Sequence, residues 1–176
     1  MEHGRGAGDG IIQTAFITGD IARDMREMTR QFGIGPWFLF EDFRIRDLRY
    51  RGEPADFRIA VALGNSGPMQ FELIQQIDDQ PSVYRDLQRQ RGFGFHHFAV
   101  GVREFDAACR RSAAQGFDLV LSGAAGPDSR MAYFDTTRVT HGMLEYIEVT
   151  AQVEAFWKMV RDAALDWDGT DPVRRL

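Results

Sequence analysis

The sequence is poor in cysteine and in long apolar runs. Cys109 is its single cysteine, so the chain offers no internal disulfide and no thiolate-based zinc site. No apolar run approaches the roughly 18 residues that a membrane-spanning helix needs. Residues 1–10, MEHGRGAGDG, lack the apolar segment of a secretion signal. These absences predict a cytoplasmic protein with no membrane partner and no metal held through sulfur.

Lysine is also scarce, and the charge balance is acidic. The formal net charge is −5, which argues against a nucleic acid partner. Lys158 is the only lysine among 21 basic residues, and the rest are arginine. Arginine binds carboxylates and phosphates through paired hydrogen bonds. The excess therefore indicates either anion recognition or a compositional bias.

The remaining composition is typical of a globular protein. Hydrophobic residues make up 44% and charged residues 27% of the 176 positions. These values predict one folded domain, or two small modules that share a core. Residues 1–10 are rich in glycine and are predicted to form a flexible tail.

The hydrophobic pattern repeats once along the chain. Each half is predicted to contain a strand, an amphipathic helix and then two or three further strands. Gln13 aligns with His97 when the halves are superposed. The first module is expected at residues 11–77 and the second at residues 95–150, followed by a C-terminal helix and tail at 151–176. The predicted helices are 21–32, 105–115 and 151–167, and the predicted strands are 11–18, 37–41, 43–50, 57–63, 69–77, 95–102, 118–122, 131–135 and 143–149.

The repeat predicts an α+β fold. Two tandem βαβββ modules can form one curved mixed sheet that closes around a cleft, because their short connections allow right-handed crossovers. Residues 78–91 are polar and are predicted as a loop with one helical turn near Pro81.

Four polar side chains in these strands predict a metal site within the cleft. Glu72 and Glu145 lie on otherwise apolar strands, where an unpaired buried carboxylate costs several kcal/mol. A divalent cation would satisfy both. His97 and Gln13 share their strand faces with small residues, which leave room for an ion. Two carboxylates, an imidazole and an amide oxygen suit Zn²⁺, Ni²⁺, Co²⁺, Mn²⁺ or Fe²⁺.

Two of these assignments have a neighbouring competitor. His96 and His97 point to opposite faces of their strand, and the repeat favours His97 as the ligand. Glu148 lies three residues after Glu145 and on the opposite face. The repeat pairs Glu145 with Glu72, so Glu145 is the favoured ligand.

The strings around these donors resemble those of the vicinal oxygen chelate superfamily, which includes glyoxalase I, methylmalonyl-CoA epimerase and extradiol dioxygenases. The resemblance covers residues 11–150. QTAFIT surrounds Gln13, FELIQ surrounds Glu72, GFHHFAV surrounds His97 and GMLEYIE surrounds Glu145. The strings GPWFLFEDF and LGNSGPMQFELIQQID are closer in pattern to the epimerase-like branch than to true glyoxalases.

The resemblance implies that the first and last strands of each module supply the metal ligands, here Gln13, Glu72, His97 and Glu145. It implies an isomerase or epimerase that acts on a small carbonyl-containing substrate through a metal-stabilised enolate. Glu145 is implied as the catalytic base, with Glu72 as a second base on the opposite face. Two bases would give epimerisation, whereas one would give isomerisation.

Two departures from the family patterns keep other activities open. Epimerase-type members carry a catalytic glutamate on the third strand, and residues 57–63 contain no carboxylate. Extradiol dioxygenases use two histidines and one glutamate, and Gln13 replaces the first histidine. The alternatives are a lyase or ring-cleaving dioxygenase on the same scaffold, and a non-catalytic protein that binds an antibiotic.

Aromatic residues near the predicted site could line a pocket for a bulky or aromatic substrate. Core packing is the default explanation of the same residues. They are Trp37, Phe38, Phe40, Phe71 and Tyr133.

Arg44 and Arg58 lie on the predicted arm between the second and third strands. They are expected either to face solvent or to capture a carboxylate or the phosphates of coenzyme A. The expected partner is therefore a small molecule, either an acyl-CoA or an aromatic carbonyl compound. Phe156 and Trp157 are predicted to lie in a core or an interface. The resemblance also implies a homodimer.

Overall fold

The computed structural model describes residues 10–126 and 128–176, so residues 1–9 of the predicted tail lie outside the described part. The described residues form one mixed sheet of 11 strands and five helices, as the predicted α+β class requires. No helix among them is long and apolar enough to span a membrane. The elements are β1 (Ile11–Ile17), α1 (Ile21–Phe32), β2 (Trp37–Phe43), β3 (Arg46–Tyr50), β4 (Glu53–Pro54), β5 (Ile59–Ser66), β6 (Met69–Gln76), α2 (Val83–Arg91), β7 (Gly94–Val102), α3 (Phe105–Ala114), β8 (Leu119–Ala124), β9 (Arg130–Asp135), α4 (Thr137–Thr140), β10 (Met143–Glu148), α5 (Ala151–Ala163) and β11 (Val173–Arg175).

The strand order confirms the predicted pair of modules. The order is β11-β2-β5-β6-β1-β7-β10-β9-β8-β3-β4. The first strand of each module lies parallel to the last, β1 beside β6 and β7 beside β10. The antiparallel pair β1–β7 joins the modules at the centre of the sheet. The four innermost strands are therefore the ones that carry the predicted metal ligands.

The sheet curls until its two ends approach each other. β2 and β3 belong to opposite ends of the sheet, yet only residues 44 and 45 separate them. So short a connection spans on the order of 10 Å, and β3 pairs with β8 of the second module. At the crossing, a Cβ on Gly123 would lie 2.4 Å from the Ile45 side chain. The sheet thus closes around an interior space.

Helix α1 matches its predicted limits because each end carries a local signal. The Asp20 side chain accepts a hydrogen bond from the Arg23 amide, and Gly33 ends the helix in the left-handed conformation with φ of 65°. Ile21 and Met25 are buried against the outer face of the sheet. The apolar spacing and both caps are visible in the sequence.

Residues 78–91 contain more helix than the predicted single turn. Residues 83–91 form α2, whose amide at Arg85 donates to the side chain of Ser82. The helix buries Val83, Tyr84 and Leu87 against the interior. Its polar composition conceals this narrow apolar stripe.

The C-terminal region also differs from its prediction. Helix α5 ends at Ala163 rather than near residue 167, and Val173–Arg175 form β11 beside β2. A strand of three residues carries no alternating pattern from which it could be recognised. Helix α5 crosses the concave side of the sheet, where Val160 is fully buried and Phe156 contacts Phe40 at 6.0 Å between ring centroids.

Gly142, directly before β10, provides a test of the strand packing around the site. A Cβ there would lie 2.7 Å from the carbonyl oxygen of His96 and 2.4 Å from the ring of Phe95. We expect Gly142→Ala to lower the free energy of unfolding by about 1–3 kcal/mol through overpacking. Gly10→Ala is the control, because no atom lies within 4 Å of its Cβ position. Denaturant titration measures both, and equal stabilities would contradict the close approach of β10 to β7.

Candidate metal centre

Strand register brings the predicted ligands onto one face of the sheet. Ala15 on β1 pairs with Glu72 on β6 and with His97 on β7. Directly paired residues project to the same side. Glu72 and His97 therefore flank Ala15, which is fully buried and leaves space between them because its side chain is small.

A second row of paired residues crosses β1 and β7 two positions away. In this row the glutamate is on the β10 side and the small residue is on β7. Gln13 on β1 pairs with Ala99 on β7, and Ala99 pairs with Glu145 on β10. Ala99 is also fully buried. The two rows relate the modules by an approximate twofold symmetry, in which Gln13 corresponds to His97 and Glu72 to Glu145.

The side chains of three of these residues converge on one point. His97 Nε2 lies 2.9 Å from Glu145 Oε2 and 3.4 Å from Glu72 Oε2. Candidate ligand atoms of all three residues lie within 4.8 Å of one another. His97 is fully buried and Glu145 is 5% exposed. Two carboxyl groups at such close range in a buried place cannot both be ionised without a positive charge between them.

Unsatisfied polar atoms indicate where that charge belongs. Glu72 Oε2 and His97 Nε2 are buried and make no hydrogen bond. The Gln13 amide nitrogen donates to Gln70 Oε1 at 2.9 Å, which leaves Gln13 Oε1 buried without a partner. These three unpaired atoms are electron-pair donors from the predicted set. The residues fit a divalent cation with mixed nitrogen and oxygen ligands.

His96 holds the ring of His97 in place. The Nδ1 atoms of the two rings lie 2.9 Å apart, so one donates a hydrogen bond to the other. A proton on Nδ1 of His97 leaves Nε2 with a free electron pair that faces the carboxylates. The ring of His96 packs against Tyr84, with centroids 4.8 Å apart. The prediction that the two rings lie on opposite faces is wrong, because the register of β1 and β7 shifts at His96 and both rings contact Tyr133. His96 thus supports the ring of His97 from the adjacent position in the strand.

Burial shifts the proton affinities of the cluster. It raises the pKa of Glu145 to about 8, and burial together with the charge of Glu145 raises the pKa of Glu72. Burial lowers the pKa of His97 to about 3, so its imidazole is neutral at physiological pH. A neutral imidazole is the form that ligates metals.

Glu148, the competitor of Glu145, lies on the opposite face of β10. Its carboxylate accepts a hydrogen bond from Arg130 Nε at 2.8 Å, and this contact lowers its pKa. The geometry therefore separates Glu148 from the donor cluster and leaves Glu145 in it.

The donor cluster opens into a cavity of about 360 Å³. Gln13, Glu72 and Glu145 contribute the polar part of its wall near the cluster. The other walls come from both modules, from α2 and from α5. They are formed by Phe40, Phe43, Ile45, Ile59, Val61, Leu63, Tyr84, Ala125, Gly126, Asp128, Ser129, Met131, Tyr133, Ile147, Thr150, Gln152, Val153, Phe156 and Trp157.

Only part of the predicted aromatic pocket lies on this wall. Phe40 and Tyr133 line the cavity, whereas Phe38 is buried in the adjoining core. The prediction that Trp37 and Phe71 line the cavity is wrong, because both pack on the outer face with α1. Strand alternation is the reason, since Phe71 precedes the inward-facing Glu72 and Trp37 precedes the inward-facing Phe38.

The predicted arginines also lie away from the cavity wall. Arg44 and Arg58 form ion pairs with Asp42, at 3.1 Å and 2.9 Å. Arg44 contacts Asp56 as well, at 3.2 Å. Neither arginine lines the cavity. Arg44 and Arg58 were expected either to face solvent or to capture an anion, and the structure agrees with solvent exposure.

The sequence reasoning missed several cavity residues. Tyr84 comes from α2, and its hydroxyl lies 3.3 Å from that of Tyr133. Phe156 and Trp157 of α5 line the cavity, and Phe156 also packs against the core as predicted. The apolar face of α5 was a usable signal, since that face needs a partner and the concave sheet provides one.

The raised pKa of Glu145 predicts how metal-free protein responds to pH. The pKa rises from 4.5 in an exposed glutamate to about 8 in the fold. Its stabilising contribution is complete below pH 4.5 and is lost as the pH rises to about 8. We expect the melting temperature of chelator-treated protein to fall across this interval. Added Mn²⁺ should raise it most at the upper end, where the carboxylates are ionised.

Glu145→Gln should weaken both the pH dependence and the response to Mn²⁺. Glu148→Gln is the matched control and should retain both, because Glu148 pairs with Arg130 on the other face. Thermal unfolding followed by circular dichroism gives the comparison. The same pH profile and metal response in Glu145→Gln as in the wild type would argue against the cluster.

Solved structures resemble this chain throughout most of their length. Methylmalonyl-CoA epimerase from Mycobacterium tuberculosis is 21% identical, with a TM-score of 0.59, covering 87% of this chain and 97% of that one. A hypothetical protein from Bacillus halodurans C-125 is 16% identical, with a TM-score of 0.60, covering 82% of this chain and 96% of that one.

A third resemblance is to Streptomyces coelicolor methylmalonyl-CoA epimerase in complex with 2-nitronate-propionyl-CoA. It is 15% identical, with a TM-score of 0.56, covering 82% of this chain and 100% of that one. At these identities the likeness shows a common fold. No curated protein matches the chain.

The family model of the glyoxalase/bleomycin resistance protein/dioxygenase superfamily matches residues 12–134. This match covers more than half of the chain, including three of the four predicted ligands, and ends before Glu145. Together with the paired modules and the curved mixed sheet, it assigns the family. The chain belongs to the glyoxalase/bleomycin resistance protein/dioxygenase superfamily.

Proposed function

We propose that this protein is a divalent-metal-dependent isomerase or epimerase that acts on a small carbonyl compound with two neighbouring oxygens. One observation carries the proposal: the converging ligand atoms of Glu72, His97 and Glu145, which lie within 4.8 Å of one another beside an apolar cavity. The unpaired amide oxygen of Gln13 on the same face is the fourth ligand. Such a set supports metal chemistry better than a purely structural role, because without a cation it is electrostatically costly.

The four side chains divide the work between holding the ion and moving a proton. Gln13 and His97 are neutral and serve only as ligands. When bound, Zn²⁺, Ni²⁺, Co²⁺, Mn²⁺ or Fe²⁺ would polarise the substrate oxygens and increase the acidity of the adjacent C–H bond. Glu145 and Glu72 are the two groups that can accept the proton from that carbon.

Glu145 is the candidate base nearer to His97, at 2.9 Å from its Nε2 against 3.4 Å for Glu72. Burial disfavours the charged form of the Glu145 carboxyl and so increases its affinity for a proton when no cation is bound. Its carboxylate takes the carbon-bound proton, the electron pair stays on the substrate as an enolate, and the resulting acid returns the proton. Return to the neighbouring carbon or oxygen gives an isomer.

Glu72 supplies the alternative outcome. It comes from the other module and reaches the same point as Glu145 from the other side of Ala15 and His97. For this outcome Glu72 must start protonated: it donates its own proton to the face of the carbon opposite Glu145. The carbon centre is inverted, Glu145 ends protonated and Glu72 ends ionised. The third strand of the first module adds no carboxylate, since Ile59, Val61 and Leu63 are its cavity-facing residues.

The structural neighbours support this class of reaction. Several are methylmalonyl-CoA epimerases, and one contains methylmalonyl-CoA itself. Epimerisation fits a chain with a carboxylate from each module at one centre. The low identities restrict this support to the fold and to the type of chemistry that it accommodates.

Metal content and proton exchange test the proposal together. We expect about one divalent ion per chain, and exchange of a carbon-bound proton with D₂O on one member of a panel of uncharged diketones, 2-oxo acids, 3-oxo acids and acyl-CoA thioesters. Glu145→Gln should slow this exchange by roughly 10²-fold or more. Nuclear magnetic resonance follows the exchange, and elemental analysis gives the metal content.

Glu148→Gln is the control and should exchange at the wild-type rate. Unchanged exchange in chelator-treated protein would overturn the metal dependence. Oxygen consumption by iron-loaded protein would instead indicate a ring-cleaving dioxygenase. Tight binding of an aromatic compound without metal or exchange would indicate a binding protein.

A further inference from the structure

The walls of the cavity around the donor cluster are almost entirely apolar. Phe40, Val61 and Ile147 line the cavity from the sheet, and Phe156 and Trp157 line it from α5. The uncharged polar groups are the tyrosine hydroxyls, Gln13, Thr150, Ser129 and Gln152. A ligand in such a cavity gains free energy mainly by removing apolar surface from water.

Among the described residues that line the cavity, none is cationic. The nearby arginines have other partners: Arg44 and Arg58 pair with Asp42, and Arg46 donates to the carbonyl oxygen of Gly126. The charged lining residues are instead acidic, namely Glu72, Glu145 and Asp128. An anionic ligand would therefore meet acidic groups, and no arginine or lysine among the described lining residues.

The charge of a bound divalent ion does not change this conclusion. Glu72 and Glu145 together carry two negative charges when ionised, so they neutralise the ion. A carboxylate on the ligand would leave one uncompensated negative charge among apolar residues, which is unfavourable. An uncharged chelating group adds no net charge.

Helix α5 forms one wall of the cavity. It crosses the concave side of the sheet, contacts Phe40 through Phe156 and is anchored by the fully buried Val160. Trp157 also approaches β7, since a Cβ on Gly101 would lie 3.2 Å from its ring. The phosphate-bearing part of a coenzyme A thioester would find no cation on this wall.

We infer that the substrate is an uncharged apolar or aromatic molecule with two neighbouring carbonyl or hydroxyl oxygens, and that the cavity selects against carboxylates and coenzyme A thioesters. The inference rests on the proposed function for the role of the two oxygens. It separates this chain from the coenzyme A-bound structures that share its fold. The selection against anionic ligands depends only on the residues that line the cavity.

A matched pair of probes tests the selection by charge. Methyl phenyl diketone and phenylglyoxylate share an aromatic ring and two neighbouring oxygens, and differ in that a methyl group replaces a carboxylate oxygen. We expect Mn²⁺-loaded protein to bind the diketone at least about tenfold more tightly, a difference that isothermal titration calorimetry resolves. Methylmalonyl-CoA is the third probe, and its binding should be weaker than that of the diketone.

A cation placed on the cavity wall should reverse the preference. Gln152 lines the cavity and is solvent-exposed, so Gln152→Arg should fold normally and bind phenylglyoxylate more tightly than the wild type does. Ala155→Arg is the control, since Ala155 is an exposed α5 residue outside the cavity wall. It should leave both affinities unchanged.

The outcomes separate this inference from the proposed function. Tighter binding of phenylglyoxylate or methylmalonyl-CoA by protein with one Mn²⁺ per chain overturns the inference and leaves the metal-dependent function in place. Equal affinities in Gln152→Arg and Ala155→Arg also count against it. Failure to bind Mn²⁺, with the diketone still preferred, overturns the proposed function and retains the selection by charge.

Discussion

The antiparallel pairing of β1 with β7 is the contact on which the candidate site depends. It sets Ala15 opposite His97 and Gln13 opposite Ala99, and β6 and β10 extend the two rows outwards. Because side chains alternate along a strand, a slip of one residue would turn a ligand to the other face. The same pairing joins the modules, so the cohesion of the sheet and the assembly of the donor set have one origin.

This arrangement places unfavourable electrostatics at the centre of a stable fold. Two carboxylates and a neutral imidazole are buried there, with several of their polar atoms unpaired. The cost is confined to a few positions between small residues, and apolar residues surround these positions except where the cavity opens. Low polarity also strengthens any interaction that the cluster makes with a cation.

Much of the site could be predicted from the sequence, because its signals are local. Period-two alternation and the internal repeat identified Glu72, His97 and Glu145, which the fold brings together. The wrong predictions concern the direction of single side chains and contacts between segments that are distant in the sequence. Trp37 was assigned to the cavity on residue type, although alternation with Phe38 directs it outwards. The covering of the concave side by α5, and the pairing of β11 with β2, depend on contacts between distant segments.

The position of α5 along the chain also has a consequence for how the site is assembled. All four predicted ligands lie on strands that precede α5, the helix that covers the cavity. The pairing of the four central strands does not involve α5, so the donors come together on one face whether or not the helix has yet covered that face.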